Sequence, residues 1–246
     1  MDQRPFTGRL RGRGDPAASG GGSDLFRAAD ALAVNVAAWE THARVRIGTR
    51  GLGDRPSKHA FRWTRDSTTD PGASLLGDVQ GRRVLELGCG TGDNLAYLVE
   101  RGAGGVGIDL AAGQIRRARA RWPKPAFHCV DAARYLSGCA GFDVCYSCFG
   151  AFSFYPAESL LDLVGAKLAP GGLLAVSGTV GDGTGPRRET LALDGGITVP
   201  VIRYEHTARE WRCLLAAAEF HKIDVTIVDE PRGPDTVIAT ARRLDP

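Results

Sequence analysis

The 246-residue chain is 43% hydrophobic and 24% charged, with a formal net charge of +3. That length suits one medium α/β domain with an appended segment and a substantial core, and the charge is too small to imply a nucleic-acid partner by itself. No run approaches the ~18 apolar residues of a membrane span, so no membrane partner is expected.

The N-terminus, MDQRPFTGRLRGRGDPAASGGGS, lacks the apolar core of a signal peptide. Residues 1–23 are rich in Gly, Arg and Pro and read as a disordered basic tail. Six cysteines (Cys89, Cys129, Cys139, Cys145, Cys148 and Cys213) fall mostly in apolar stretches. Without an export signal they read as reduced thiols of a cytoplasmic protein. Cys145 and Cys148 lack the second ligand pair that zinc requires, and no metal is expected.

Ser23 or Asp24 caps a helix expected to run to about Thr41, with Leu25, Ala28, Leu32 and Val36 near helical spacing. Residues 48–70 read as an irregular loop that packs over something, because it carries His59, Phe61 and Trp63. Residues 24–80 thus form an N-terminal helical lid segment, and residues 81–246 the main domain. From Gly81 the chain alternates short apolar strands with amphipathic helices: RVLEL, GVGIDL, AFHCV, FDVCYS and LLAVSG are the strands. The helix before LLAVSG carries Leu160, Leu161, Val164 and Leu168 and is expected to end at Pro170, Gly171 and Gly172. After a glycine-rich excursion come strand TVPVIRYEH and a helix opened by Thr207 and Glu210 as a capping box. IDVTIV and TVIATA, joined by a short Pro-Gly loop, close the sheet as an antiparallel pair. The fold class is α/β: a doubly wound, seven-stranded, mostly parallel sheet with an antiparallel C-terminal strand and helices on both faces.

The run VLELGCGTGDN is a buried strand, a glycine turn and the first turn of a helix. Its glycines fall at 88, 90 and 92, whereas a dinucleotide fingerprint wants its third glycine at 93, where this chain has Asp. Glu86 and Asp93 flank the turn, and two carboxylates beside a pyrophosphate repel it. A ligand bearing a sulfonium and an ammonium is favoured instead. Asp109 ends the second strand, 17 residues after Gly92, placed to accept from ribose hydroxyls, and Asp131 ends the third, placed to accept from an adenine amino group.

These features resemble the class I S-adenosylmethionine-dependent methyltransferases, closely over about Gly81 to Gly178. ELGCGTG is similar to the family's first motif, GIDL to its ribose-binding loop, VDA to its adenine-binding loop, and LAPGGLLAVS to a following helix-turn-strand signature. The resemblance implies S-adenosyl-L-methionine as cofactor, with S-adenosyl-L-homocysteine as product. Its site residues would be Glu86, Gly88, Cys89, Gly90, Gly92, Asn94, Asp109, Leu110, Gln114, Asp131, Ala132, Ser147 and Trp63.

FDVCYSCFGAFSF departs from the pattern of base-amino methyltransferases, and Cys148 lacks the proline that usually precedes a cytosine-attacking cysteine. The run offers instead an aromatic wall, Phe149, Phe152, Phe154 and Tyr155, with no fixed cation nearby and two of the four expected in the core. An apolar or aromatic small molecule suits it. Trp39 is a further substrate-side candidate. His206 is the candidate general base, with His59 and His42 as weaker ones. The expected activity is methyl transfer to O or N of a small molecule, a bacterial secondary metabolite, by a monomer or homodimer. The alternatives are an RNA or ribosomal-protein methyltransferase using the basic tail, a nicotinamide oxidoreductase, and a non-catalytic cofactor-binding subunit.

Overall fold

The computed structural model describes residues 28–55, 59–183 and 185–244. The Gly/Arg-rich tail and the expected helix cap at Ser23 or Asp24 lie outside the described residues.

Helix α1 (Ala28–Arg50) is followed by a loop and a short 3-10 turn at Gly72–Leu76. Then come β1 (Arg83–Leu87), α2 (Asp93–Val99), β2 (Gly104–Asp109), α3 (Ala112–Arg121), β3 (Ala126–Cys129), α4 (Ala132–Gly138), β4 (Phe142–Cys148), α5 (Ala157–Lys167) and β5 (Leu168–Thr179). A hairpin, β6 (Arg187–Ala192) and β7 (Thr198–Arg203), precedes α6 (Ala208–Ala217), β8 (Phe220–Val228) and β9 (Thr236–Arg243). The main sheet has seven strands in the order β3-β2-β1-β4-β5-β9-β8. The pairs from β3 to β5 are parallel, and β9 runs antiparallel to both β5 and β8.

Each face of the sheet is covered because its strands are apolar on both sides. Leu136, Leu160, Leu161, Val164, Trp211 and Leu215 from α4, α5 and α6 fill one face. Leu95, Leu98, Ile115 and Ala118 from α2 and α3, with Phe61, Trp63 and Trp122, fill the other. Successive strands step outward from β1 in one direction and from β4 in the other, so a crevice opens at the carboxyl ends between β1 and β4.

Three expectations are corrected. Helix α1 continues past Thr41 to Arg50, where Gly51, at φ +83°, donates its N–H to the Ile47 carbonyl and ends it. Leu168 starts β5 instead of ending α5, and Pro170 to Gly172 form an irregularity within that strand, where pairing jumps from Phe142–Leu168 to Val144–Leu173. Strand β6 was unforeseen. It pairs with β7 in a separate two-stranded sheet, which removes TVPVIR from the main sheet. Among the described residues, no helix is long and apolar enough to cross a membrane.

Candidate functional site

The crevice widens into a cavity of about 970 Å³. Its roof is one stripe of α1, with Leu32, Asn35, Val36, Trp39, His42, Arg46 and Arg50 falling on one helical face. Its floor is the carboxyl ends of β1 to β4. Asn35, buried amid the apolar part of that stripe, holds the roof in place. Its Nδ2 donates to the Ile202 carbonyl at 2.9 Å, and its Oδ1 accepts the Ile202 N–H at 2.8 Å.

The glycine turn needs its glycines. Gly88 sits at φ +74°, and a Cβ there would stand 2.4 Å from the Ala151 nitrogen. Gly90, at φ +51°, has nothing within 4 Å of the place a Cβ would occupy, so its missing side chain leaves open space in the cavity. Asp93, read above as a charge facing the ligand, is tied to the protein: it accepts from Thr91 Oγ1, Arg121 Nη1 and Trp122 Nε1.

Three other acids behave differently. Asp109 accepts the Gly90 and Ala111 N–H groups at 2.9 and 2.8 Å, and burial raises its pKa above the ordinary value. Asp131 caps α4 by accepting the Arg134 N–H through Oδ1, while its buried Oδ2 has no partner among the described residues. Glu86 is 3% exposed and its Oε2 is likewise unpartnered. Burial, with the negative charges of Asp93 and Asp109, raises its pKa well above the usual range, against an opposing effect of the Tyr146 hydroxyl. Buried acceptors without donors are costly unless a ligand supplies them.

Of the residues singled out from the sequence, Glu86, Gly88, Cys89, Gly90, Asn94, Asp109, Leu110, Gln114, Asp131 and Ala132 meet around this cavity. Trp39, His42, His59, Phe149, Phe154 and Tyr155 also line it. Others do not. Gly92 packs under the Phe127 ring, 2.4 Å from a Cβ built on it. Ser147 is fully buried and donates to the Leu87 carbonyl, supporting the close approach of β1 and β4. Trp63 is fully buried, donating Nε1 to the Gly72 carbonyl and packing near Phe61 and Tyr146. Phe152 alone of the aromatic run lies in the core, edge-on to Trp211.

His206 stands apart from the cavity. It bridges to Val180, its ring stands edge-on to Trp211 at 5.2 Å, and it is absent from the cavity wall. Its Nε2 is buried without a partner among the described residues, and burial lowers its pKa. His59 reaches the cavity, but Nε2 bonds the Asp93 carbonyl and Nδ1 lies 3.2 Å from Glu100 Oε2. Both ring nitrogens are thus engaged by protein oxygens. Cys148 lines the cavity, yet burial pushes its thiol pKa well up, which disfavours a thiolate nucleophile. Among the described residues all six cysteines are free, Cys129 and Cys213 are exposed instead of core, and no metal-binding cluster occurs.

Residues 84–172 match the family described as "Methyltransferase domain". Over these residues the chain is similar to the class I S-adenosylmethionine-dependent methyltransferases. The chain is 35% identical over 115 residues to a trans-aconitate 2-methyltransferase of Delftia acidovorans, covering 44% of this chain and 43% of that protein. An O-methyltransferase of Penicillium expansum is 30% identical over 176 residues, 69% of this chain and 63% of that protein. The chain thus spans less than two thirds of the length of either curated relative. Among solved structures, the Burkholderia thailandensis 1,6-didemethyltoxoflavin-N1-methyltransferase, with its acceptor and S-adenosylhomocysteine bound, gives a TM-score of 0.53 at 26% identity, covering 70% of this chain and 75% of that one. A Listeria monocytogenes protein at 20% identity gives 0.57 over 70% of this chain and 95% of that one, a likeness of fold.

The residues present fit the family's cofactor. The orphaned Asp131 oxygen suits an adenine amino group, the half-engaged Asp109 carboxylate suits ribose hydroxyls, and the orphaned Glu86 oxygen suits an ammonium. The volume lies at the upper end of ligand sites, enough for a cofactor and a small acceptor together. The sequence reading missed Asn35 and the arginines of the wall: Arg46, Arg50, Arg55, Arg62, Arg117 and Arg121 all line the cavity, so the expectation of no fixed cation is overturned. A polar residue inside an apolar helical stripe was the available signal for Asn35.

Proposed function

We propose that the protein transfers the methyl group of S-adenosyl-L-methionine to an oxygen or nitrogen atom of a small molecule of secondary metabolism. The observation that carries this reading is the pair Asp109 and Asp131 at the ends of adjacent strands, opening on one cavity, with Asp131 Oδ2 left without a donor. Relatives named as an O-methyltransferase and an N1-methyltransferase support O or N as the acceptor atom.

The cofactor supplies an electrophilic methyl on a sulfonium. What this chain supplies is position and desolvation. Trp39, Phe149 and Phe154 form the apolar wall against which a flat acceptor rests. The reading of residues 24–80 as a lid is supported by its described part: the Asn94 side chain exchanges hydrogen bonds with both backbone groups of Arg62, and α1 roofs the cavity. His206 lies off the cavity wall and both His59 nitrogens are engaged by the protein, which supports an acceptor that ionises readily.

Calorimetric titration with S-adenosylmethionine, S-adenosylhomocysteine and NAD tests the cofactor. Micromolar binding of the first two and none of NAD is expected, and the reverse result ends the reading. Transfer of labelled methyl into the small-molecule fraction of a host extract, and not into its RNA or protein, tests the acceptor class.

A further inference from the structure

The cavity has an end that cofactor binding leaves unexplained. Arg46, Arg50, Arg55, Arg117 and Arg121 gather there around the second half of α1 and one side of α3. Arg121 is matched by Asp93 at 3.1 Å and Asp54 at 3.9 Å, and Arg46 by Asp194 at 3.0 Å. Arg117 is not matched. It is 4% exposed, its Nη1 donates only to Gln114 Oε1, its Nε has no partner, and no carboxylate pairs with it among the described residues. Arg50 also lacks a carboxylate partner among them. Arg55 lies over the Trp122 ring at 4.8 Å.

A guanidinium held out of water without a paired carboxylate is a costly arrangement that an anion relieves. The local field is positive enough to act on a neighbour. Burial, then Arg117 and Arg46, bring the His42 pKa down to about 4. Arg117 itself has its pKa lowered by burial, then by Arg121 and Arg46, with Asp93 and Asp54 acting in the opposite direction.

This end is continuous with the aromatic wall. Phe154 meets Trp39 at 5.3 Å between ring centroids, and Trp39 meets His42 at 5.3 Å. His42 Nδ1 lies 3.0 Å from Gln114 Nε2, and Gln114 holds Arg117. One small molecule lying along this row would set a ring against Trp39 and Phe154 and an anionic group against Arg117. A planar fork of donors is the geometry that a carboxylate takes.

We infer that the arginine end of the cavity, centred on Arg117 with Arg50 and Arg46, holds a carboxylate of the methyl acceptor. This rests on the proposed methyltransferase reading. The same chemistry has a second source, the amino-acid carboxylate of the cofactor, and the test separates the two.

The probes are isophthalate, a benzene ring with two carboxylates, and isophthalamide, its neutral counterpart. Each is titrated into protein saturated with S-adenosylhomocysteine. Isophthalate is expected to bind at least tenfold more tightly than the diamide. Arg117→Gln should weaken isophthalate at least tenfold and Arg50→Gln at least threefold, with the S-adenosylhomocysteine Kd changed less than threefold in both. Equal binding of acid and diamide, or no binding of the acid, overturns the inference. So does a loss of S-adenosylhomocysteine affinity in Arg117→Gln as large as the loss for isophthalate, which assigns the arginines to the cofactor. Should Arg117→Gln fail to fold, the exposed Arg50 decides by the same criteria. Wild-type protein that binds no S-adenosylhomocysteine at all refutes the methyltransferase reading itself, a distinct outcome.

Discussion

Asn35 in α1 bonds the backbone of Ile202 in β7 in both directions, with its Nδ2 also 3.3 Å from the Phe154 carbonyl. A single side chain thereby joins the roof of the cavity, the accessory hairpin and the aromatic wall. Replacing it with Leu strands a buried N–H and a buried carbonyl at once. Each stranded group costs about 1–3 kcal/mol, and for a chain of this size each kcal/mol lowers Tm by about 2–4 °C. Thermal unfolding of Asn35→Leu should show a Tm lower by at least about 5 °C; a wild-type Tm would mean that the bridge is replaced by water.

Asp131 separates two jobs on two oxygens, since Oδ1 caps α4 and Oδ2 has no partner among the described residues. Serine keeps the cap, because its hydroxyl accepts the same backbone N–H. Asp131→Ser should therefore fold with a Tm near wild type. It loses a charge-assisted bond worth about 1.5–3 kcal/mol, so the S-adenosylhomocysteine Kd should rise roughly 10- to 150-fold. An unchanged Kd in calorimetry removes Asp131 from the cofactor site.

Gly88 and Gly90 differ in what surrounds them, although both have positive φ. Alanine at 88 drives a methyl into the backbone of Gly150 and Ala151, at 2.4–2.8 Å, where nothing flexible can yield. Alanine at 90 meets open space and carries only the backbone strain of about 1–2 kcal/mol. Gly88→Ala should fail to give folded protein or lose more than about 3 kcal/mol. Gly90→Ala should fold and lose cofactor affinity. Equal Tm losses in chemical or thermal melts would contradict this division.

The part of the site closest to the motif was legible because it depends on chain order alone. A strand end, three glycines at fixed spacing and acids at the ends of β2 and β3 converge in any doubly wound sheet. The capping box of α6 was equally local, and it forms with both reciprocal bonds. What stayed hidden depends on tertiary placement. The arginines of α3 look like a solvated face until α1 closes over them. Strand β6 is largely exposed, so no apolar alternation marked it. Ser147 lies near the end of the fourth strand and Trp63 in the aromatic loop, both expected at the site, yet both side chains are buried in the core and not in the crevice.

His206 illustrates the same limit, and its removal tests the consequence. A strand-end histidine before a capped helix looks cavity-directed, but here the ring turns against Trp211. His206→Gln should leave kcat within about twofold, where loss of a true general base costs about 10² to 10⁴. A hundredfold fall in kcat at unchanged Tm would restore the residue to the reaction.

His42 makes a pH-dependent contribution whose sign follows from its surroundings. Burial and the charges of Arg117 and Arg46 lower its folded pKa from 6.5 to about 4, with Asp194 acting in the opposite direction. The neutral ring is therefore favoured in the folded state, and between pH 6.5 and 4 the unfolded chain binds the extra proton. Stability from this group is fully present above about pH 6.5 and is lost as pH falls toward 4. The ring is partly exposed, so solvent screening reduces the loss to about 1–2 kcal/mol. Denaturant titrations of wild type and His42→Gln at pH 7.5 and pH 4.5 measure it. The difference in unfolding free energy between the two pH values should be smaller in the variant by about that amount. Parallel losses in both proteins would show that His42 is not held neutral, and the positive field assigned to the arginine end would lose its nearest reporter.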